Sequence, residues 1–188
     1  SGGSCGSSCN GTLTNMTTSG QDAAAGTGWT ADNRRWGAGA LMFDGANDYV
    51  NLVSTPTTGT GSFSIEAWVK PDDDGTDRRI ISYGNGTNTN TGVTFYIKNT
   101  NYVGFDLTGT TGPVSTVPVV DGLWHYVAVT NSSGTVQVYV DGIASGSSVS
   151  MSPNITSSST NRIGSNWTAD SAFFNGAIDS VKVYSRAL

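Results

Sequence analysis

The fold of this chain is decided by Ala40-Leu-Met-Phe-Asp-Gly-Ala-Asn-Asp-Tyr-Val-Asn-Leu52 read together with Gly176-Ala-Ile-Asp-Ser-Val-Lys-Val-Tyr-Ser-Arg-Ala-Leu188. Both stretches contain short runs in which apolar residues alternate with others, the pattern of a β-strand with one buried face. Each run also carries an aspartate where the alternation favours an apolar residue. Two such strands, far apart in sequence, indicate an all-β protein.

The period of two continues through the middle of the chain. In Ser62-Phe-Ser-Ile-Glu-Ala-Trp-Val-Lys-Pro71 the apolar residues share one face, and Glu66 and Trp68 share the other. The pair Asp141-Gly142 suits a type I′ hairpin turn. The same pattern predicts strands at residues 79–83, 93–98, 102–107, 123–130, 135–140, 162–164 and 178–184. Many short strands separated by turns predict a sandwich or a barrel.

These stretches and Asp121-Gly-Leu-Trp-His-Tyr-Val-Ala-Val-Thr130 resemble the LamG-like (laminin G-like) family of concanavalin A-type jelly rolls. The resemblance implies a two-sheet antiparallel jelly-roll sandwich. The chain begins only a few residues before the part that normally follows the family's first strand, so we expect that strand to be absent. Because first and last strands share a sheet in such jelly rolls, we expect unpaired backbone groups near residues 178–184, unless residues 1–15 or another chain cover them.

The length of 188 residues suits a single domain. Within residues 1–188 we expect an irregular N-terminal arm with loops at 1–39 and the sandwich core at 40–188. Cys5 and Cys9 lie in the arm, in a Gly/Ser-rich segment. A small local disulfide fits an oxidising compartment, and free thiols or pairing between chains are the alternatives.

The chain is acidic and weakly charged, with a net charge of −5 and only 12% charged residues. Its basic residues form no cluster beyond Arg34-Arg35 and Arg78-Arg79, which argues against a nucleic-acid partner. No apolar run reaches the length of a membrane span. The low charge and the 25 Thr and 24 Ser favour a secreted or surface-displayed protein. Because the chain starts at Ser1 without Met, we interpret it as processed or excised.

Asp44, Asp48 and Asp179 are candidate metal ligands. Asp179 shares its parity with Val181 and Val183, so the alternation turns it towards the core, where an isolated carboxylate is costly. Asp44 and Asp48 flank a glycine turn, and oxygen ligands of this kind suit Ca²⁺. The resemblance implies a structural calcium, with Asp179 matching an aspartate at the start of the last strand. Alternatively, Asp179 accepts backbone N–H bonds in a β-bulge and Asp44 caps a turn.

The sequence offers little for catalysis. Glu66 is the only glutamate, whereas retaining glycosidases on this scaffold carry clustered acidic residues along one strand. His125, the only histidine, shares the parity of core-type residues, and no serine or cysteine elbow lies near it. We therefore expect a protein that is not an enzyme.

Glycan binding needs exposed aromatic faces with amides and carboxylates beside them. Trp68 and Tyr139 on strands, and Trp167 with Asn166 near a loop, are the candidates, and the patch around Trp167 and Asn166 leads. For each aromatic residue the alternative is a structural role, because Trp and Tyr often seal sheet edges and lie under loops.

Six Asn-X-Ser/Thr sequons occur in the chain. If the source cell glycosylates secreted proteins, loops that carry them are targets. The sequons begin at Asn10, Asn15, Asn85, Asn131, Asn154 and Asn166.

Two functions follow from these observations. The first is a non-catalytic extracellular recognition or adhesion module that binds glycans or a cell-surface partner. The second is a self-assembling subunit of an extracellular filament or coat, a homo-polymer in which the N-terminal arm of one copy completes the sheet of the next. The apparently missing first strand, the Gly/Ser-rich arm and the two cysteines favour the second.

Overall fold

The computed structural model describes residues 11–14, 28–30, 35, 40–73, 75–167 and 171–188, which form two antiparallel β-sheets. The seven-stranded sheet has the order β1-β4-β14-β6-β7-β8-β9. Its strands, in that order, are Gly11–Thr14, Tyr49–Leu52, Asn161–Ile163, Arg78–Gly84, Gly92–Ile97, Tyr102–Leu107 and Thr110–Pro118. The described residues contain no helix, and hence no helical segment that could cross a membrane.

The eight-stranded sheet has the order β12-β11-β10-β5-β15-β3-β2, and β13 pairs with β11. Its strands are β12 (Ile143–Ala144), β11 (Thr135–Val140), β10 (His125–Ser132), β5 (Phe63–Pro71), β15 (Asn175–Tyr184), β3 (Ala40–Asp44), β2 (Gly28–Thr30) and β13 (Val149–Ser150). The expected all-β, two-sheet antiparallel sandwich is therefore confirmed.

The core lies between the two sheets and is apolar. Ile65, Ala67 and Val69 of β5 are fully buried, as the alternation predicts. Phe63 of β5 meets Phe105 of β8 across the interface, with ring centroids 5.9 Å apart. Since one face of each sheet is used in this packing, the other faces are left for polar and aromatic side chains.

Two short strands lie inside the segment that the sequence predicts to be irregular. β1 pairs with β4 and β2 pairs with β3, so residues 1–39 contribute an edge strand to each sheet. These two strands are regular elements within the arm and loops expected at 1–39. Strands of three or four residues among Gly, Ser and Thr show too little alternation to be recognised.

The last strand is paired on both sides over only part of its length. Residues 175–178 pair with β3 on one side, while β5 pairs along most of β15 on the other. The expectation of an unpaired strand is therefore wrong at Ile178, which lies opposite Leu41. From Asp179 onward, the described pairing is with β5.

A β-bulge interrupts β15. Asp179 lies opposite Trp68 and Lys182 lies opposite Glu66, so β15 uses one residue more than β5 over this interval. Ser180, inside the bulge, has a positive φ of 53°. Because of the extra residue, Asp179, Lys182 and Tyr184 all lie in register with the outward-facing residues of β5.

Candidate functional site

The outer face of the eight-stranded sheet carries aromatic side chains on four neighbouring strands. Inward-facing valines alternate with outward-facing Tyr126 on β10 and Tyr139 on β11, and β5 and β15 contribute Trp68 and Tyr184. We call these four residues the aromatic face. All four side chains are partly exposed, so a ligand can reach them.

Trp68 and Tyr126 form the centre of the aromatic face. They lie directly opposite each other on β5 and β10, and their ring centroids are 5.5 Å apart with a 55° tilt. The guanidinium of Arg35 lies 4.3 Å from the centroid of the Trp68 ring. A cation over one part of the indole fixes the orientation of the ring.

Glu66 lies next to this pair and holds the surrounding hydroxyls. Its carboxylate accepts hydrogen bonds from the Tyr126 hydroxyl at 2.5 Å, the Tyr184 hydroxyl at 3.0 Å and Lys182 Nζ at 2.8 Å. Glu66 itself is only 8% exposed. One buried carboxylate thus connects three side chains from two strands, which restricts the aromatic face to one arrangement.

The same network sets the charge states of its members. Burial alone would raise the pKa of Glu66, but the hydrogen bonds from Lys182, Tyr126 and Tyr184 outweigh it and keep that pKa below its ordinary value. Burial and the hydrogen bond to Glu66 raise the pKa of the Tyr126 hydroxyl. At neutral pH the network is therefore an ionised carboxylate that accepts from neutral tyrosines and a charged lysine.

Tyr139 extends the face towards the sheet edge. It lies opposite Ala128 of β10, which in turn lies opposite Glu66. Ala128 therefore lies between Tyr139 and Glu66 in the sheet. Aromatic rings beside hydroxyls and an amine are suited to bind a ligand that has both apolar and hydroxyl surfaces.

Trp167 and Asn166 lie elsewhere, so the predicted ligand-binding residues divide into two groups. They follow β14 of the seven-stranded sheet, whereas Trp68 and Tyr139 belong to the eight-stranded sheet. The Trp167 ring packs so closely on Gly86 that a Cβ added there would lie 2.7 Å from it. Asn166 Oδ1 accepts a hydrogen bond from the Trp167 backbone N–H at 2.8 Å.

Arg162 holds this second group in place. Its Nη1 donates to the backbone carbonyl oxygens of Asn166, at 3.1 Å, and Trp167. Its guanidinium also lies 4.7 Å from the centroid of the Tyr49 ring. These contacts favour for Trp167 the structural role that was the alternative for each aromatic candidate, and its ring remains partly exposed.

The three predicted calcium ligands are not brought together. Asp48 Oδ2 accepts the Asp44 N–H at 3.0 Å and Asp44 Oδ1 accepts the Ala46 N–H at 2.8 Å, so both carboxylates serve the turn. Asp44 lies opposite Asn175, and Asp179 lies four residues further along β15, about 13 Å at the usual rise of a strand.

The orientation predicted for Asp179 is wrong. The bulge at Ser180 reverses the alternation, so Asp179 lies in register with outward-facing Trp68 rather than with the core. Across the described ranges, no three His, Cys, Asp or Glu side chains converge on a position suited to a metal ion. A calcium ion shared by Asp44, Asp48 and Asp179 does not fit this arrangement. The predicted Cys5–Cys9 disulfide lies outside the described residues.

Sequence reasoning missed several members of the site. Tyr126 could have been found, because it alternates with His125 in the same way that Trp68 alternates with Val69. Lys182 and Tyr184 could also have been placed on an outer face, because they alternate with Val181 and Val183, but the sequence does not show that this face adjoins Glu66. Arg35 is distant in sequence, and only the fold brings it to Trp68.

A second ionic cluster lies at the end of the same sheet. His125 Nδ1 lies 2.8 Å from Asp141 Oδ2 and its Nε2 lies 3.1 Å from Asp121 Oδ1. Carboxylates only accept, so satisfying both contacts requires an imidazolium with two N–H groups. Burial alone would lower the pKa of His125, but the bonds to Asp141 and Asp121 outweigh it and raise the pKa above its ordinary value.

Comparison with known proteins places the chain in a family. Residues 44–188 match a family model described as the Concanavalin A-like lectin/glucanases superfamily. No curated protein matches the chain in sequence. The match covers more than half of the chain and includes both sheets.

Solved structures share the fold at low sequence identity. The Ruminococcus gnavus IT-sialidase CBM40 bound to α2,3-sialyllactose is 16% identical, with a TM-score of 0.58 over 74% of this chain and 90% of that chain. Domain 4 of AbnA, a GH43 extracellular arabinanase from Geobacillus stearothermophilus in complex with arabinotriose, is 20% identical, with a TM-score of 0.61 over 95% and 83%.

The binding domain of Paraclostridial Mosquitocidal Protein 1 is 15% identical, with a TM-score of 0.62 over 95% of this chain and 45% of that chain. At these identities the likeness is one of fold. The family match, by contrast, rests on sequence and confirms the LamG-like resemblance. The chain belongs to the concanavalin A-like lectin/glucanases superfamily.

Proposed function

We propose that this chain is a non-catalytic glycan-binding module that works outside the cell and binds carbohydrate on the aromatic face. The observation that carries the proposal is the Trp68–Tyr126 pair, presented on a sheet surface and fixed by the Glu66 network. The Glu66 carboxylate is already occupied by three donors. The arrangement is therefore suited to binding rather than to hydrolysis.

The physical basis is the complementarity between rings and sugars. A pyranose or furanose presents C–H groups on its faces and hydroxyls around its rim. Trp68 and Tyr139 offer apolar ring faces, while the hydroxyls of Tyr126 and Tyr184 lie beside them. Because the Glu66 network already fixes two of these side chains, little conformational entropy is lost on binding.

The related structures support the proposal. Two of the modules that share the fold are bound to sialyllactose and arabinotriose, and each belongs to a larger carbohydrate-active enzyme. One of those enzymes is extracellular. The low charge and high hydroxyl content of this chain fit the same setting. A glycan is thus the partner that we expect, presented on a polysaccharide or a cell surface.

Affinity electrophoresis in gels that contain arabinan, sialylated mucin or other polysaccharides tests this proposal. We expect retardation by at least one glycan, and a loss of about tenfold or more in affinity for Trp68→Ala, since an aromatic contact contributes on the order of 1 kcal/mol or more. Trp167→Ala is the matched control and should bind as the wild type does. Equal loss in both variants, or retention by Trp68→Ala, would overturn the assignment to the aromatic face.

Self-assembly into a filament or coat is the second candidate, and one observation favours it. An apolar groove of about 480 Å³ lies beside β15, lined by residues that include Leu52, Val53, Val181 and Val183. Val53 is 62% exposed there. Gly11, the first residue of β1, lies opposite Leu52, which lines this groove. A strand from the N-terminal segment of a second copy is the occupant that this geometry suits.

Negative-stain microscopy with light scattering separates the two candidates. Filaments that disappear when residues 1–15 are deleted would favour self-assembly through the arm. Monomers at all concentrations would rule it out and leave the glycan-binding module alone.

A further inference from the structure

The sequons of this chain differ sharply in the environment that the fold gives them. We propose that Asn154 is an N-glycosylation site of the folded protein and that the sequon at Asn131 is not used. Asn10 and Asn15 lie outside the described residues. The other four asparagines can be compared by the exposure and the hydrogen bonds of the side-chain amide, which is the group that a glycan modifies.

Asn131 is closed to modification. Its side chain is fully buried. Its Nδ2 donates to the Gly61 carbonyl at 3.1 Å and its Oδ1 accepts the Gly134 N–H at 3.0 Å. A glycan on Nδ2 would replace one of its hydrogens and force a sugar into the sandwich. A folded chain therefore cannot carry a glycan at Asn131.

Asn154 has the opposite environment. Asn154 and Thr156, the two residues that define the sequon, are both exposed, whereas Ile155 between them is 2% exposed. Within the part of the chain that the structure describes, the Asn154 side chain makes no hydrogen bond and its amide nitrogen remains available. Both functional groups of the sequon thus face solvent from the same side of the backbone.

The backbone holds this sequon in one conformation. The Asn154 N–H donates to the Asn90 carbonyl at 2.9 Å, and the Thr156 N–H donates to the Thr91 carbonyl at 3.1 Å. Ile155 exchanges two backbone hydrogen bonds with Gly59, at 2.9 and 2.7 Å. These contacts leave the outer side open, so a glycan at Asn154 costs the fold no internal bond.

Asn85 and Asn166 are intermediate cases. Asn85 Oδ1 accepts the Thr87 hydroxyl at 2.6 Å, so the sequon hydroxyl is occupied within the sequon itself. Gly86 between them lies against the Trp167 ring. Asn166 Oδ1 accepts the Trp167 N–H. Both asparagines are partly buried, and we expect less modification at them than at Asn154.

The chemical step is the transfer of an oligosaccharide from a lipid-linked pyrophosphate donor to asparagine. A bond forms between Asn154 Nδ2 and the anomeric carbon of the first sugar, and the bond from that carbon to the pyrophosphate oxygen breaks. The amide nitrogen loses one proton, and the lipid pyrophosphate leaves with the electron pair. The donor and the transferase are supplied by the cell that secretes the chain.

The test is expression of the full chain through a secretory pathway that has an oligosaccharyltransferase. Glycopeptide mapping by mass spectrometry on the folded, secreted wild type reads each site directly and does not depend on whether a variant folds. We expect occupancy at Asn154 and none at Asn131. Asn154→Gln should remove the glycan at that position, and Thr156→Ala, which keeps the asparagine, should remove it too.

Two results would overturn the proposal: an unmodified Asn154 in protein whose other sequons are occupied, or a glycan at Asn131 in chains with wild-type circular dichroism and melting temperature. Chains with no glycan at any site would also count against Asn154. Asn154 contacts Asn90 between β6 and β7, in the seven-stranded sheet. Its glycan should therefore leave binding at the aromatic face unchanged, which affinity electrophoresis before and after deglycosylation measures.

Discussion

On the outer face of the eight-stranded sheet, the carboxylate of Glu66 lies beneath tyrosine hydroxyls and accepts their hydrogen bonds. In the seven-stranded sheet, by contrast, the guanidinium of Arg162 lies beside the Tyr49 ring and donates to the carbonyls of residues 166 and 167. Both faces combine charge with aromatic rings, but in opposite ways. In the first, the buried ion orders rings that point outward. In the second, the ion fastens a loop over the sheet and the Trp167 ring packs inward on Gly86.

The difference shows that an aromatic residue near a loop and an aromatic residue on a strand have different default roles. Trp167 is the more conspicuous candidate in the sequence, because an amide precedes it. In the fold, the Trp167 ring packs on Gly86 and Trp68 lies on the outer face of the other sheet, and both rings are partly exposed. If the two faces differ in this way, loss of the Glu66 carboxylate should weaken both folding and glycan binding, whereas loss of the Arg162 guanidinium should weaken folding alone.

Removal of the Glu66 carboxylate should have the largest effect. Glu66→Ala leaves two tyrosine hydroxyls and Lys182 without their acceptor and opens a gap beneath them, so we expect a loss of about 3 kcal/mol in the free energy of unfolding. Glycan affinity should fall as well, because the ring orientations are released. Urea unfolding and affinity electrophoresis measure the two effects.

Lys182→Ala is the control for that change. The Lys182 side chain is 57% exposed, so its ion pair with Glu66 should contribute less than about 1 kcal/mol. If Lys182→Ala were as damaging as Glu66→Ala, the ion pair rather than the tyrosine hydroxyls would hold the aromatic face together.

Removal of the anchor on the other sheet should affect stability without affecting binding. Arg162→Ala loses the bonds to two backbone carbonyls, to Asn51 Oδ1 and to the Tyr49 ring, and we expect a cost of about 2 kcal/mol. Glycan retention should match the wild type in the same gels. A loss of affinity in this variant would show that the seven-stranded sheet takes part in binding.

The His125 cluster should make stability depend on pH. The pKa of His125 is raised on folding, so its contribution is fully present below the unfolded value of about 6.5 and is lost as pH rises through the folded value. The N–H of Leu123 and the bond from His125 lower the pKa of Asp121, so that contribution is present above about pH 4 and is lost on acidification.

We therefore expect maximal stability between about pH 4 and 6.5, with a decline of the order of 1 kcal/mol above neutrality. Urea unfolding at a series of pH values measures this decline. His125→Gln should flatten the curve above pH 6 whatever its own stability, and an unchanged slope in that variant would assign the pH dependence to another group.

Chelation of calcium should have the smallest effect. The carboxylates of Asp44 and Asp48 already accept backbone N–H groups, and Asp179 lies apart from them, so we expect equal melting temperatures in EDTA and in calcium. A fall in EDTA that Asp48→Asn abolishes would reinstate a calcium site at this turn. The bound ion would then stabilise that turn, as Glu66 and Arg162 stabilise their own regions.

Much of the fold could be predicted from alternation. The strands of the core, the Asp141-Gly142 turn and the burial of His125 follow the pattern, and Asp141 and Gly142 both have the positive φ that a type I′ turn requires, 52° and 83°. β1, β2 and β9 were not predicted, since they are short or interrupted by glycine and proline.

The candidate site was predicted only in part. Trp68 and Tyr139 were among the predicted candidates, but the Glu66 network depends on contacts between residues more than a hundred positions apart. Trp167 and Asn166 were grouped with them because alternation says nothing about which sheet a loop follows. Alternation within one sequence predicts local conformation well, but it predicts poorly which distant strands lie beside each other.

The bulge in β15 has a consequence for how this family diversifies. Two residues, Ser180 and Val181, lie between the pairs Asp179–Trp68 and Lys182–Glu66, where β5 has only Ala67. Deletion of one of the two would give a regular strand in which Lys182 still lies opposite Glu66 and Tyr184 opposite Ser64. Relatives with one residue fewer at this position can therefore carry the same network without a bulge, so a one-residue gap there does not by itself mark a change around Glu66.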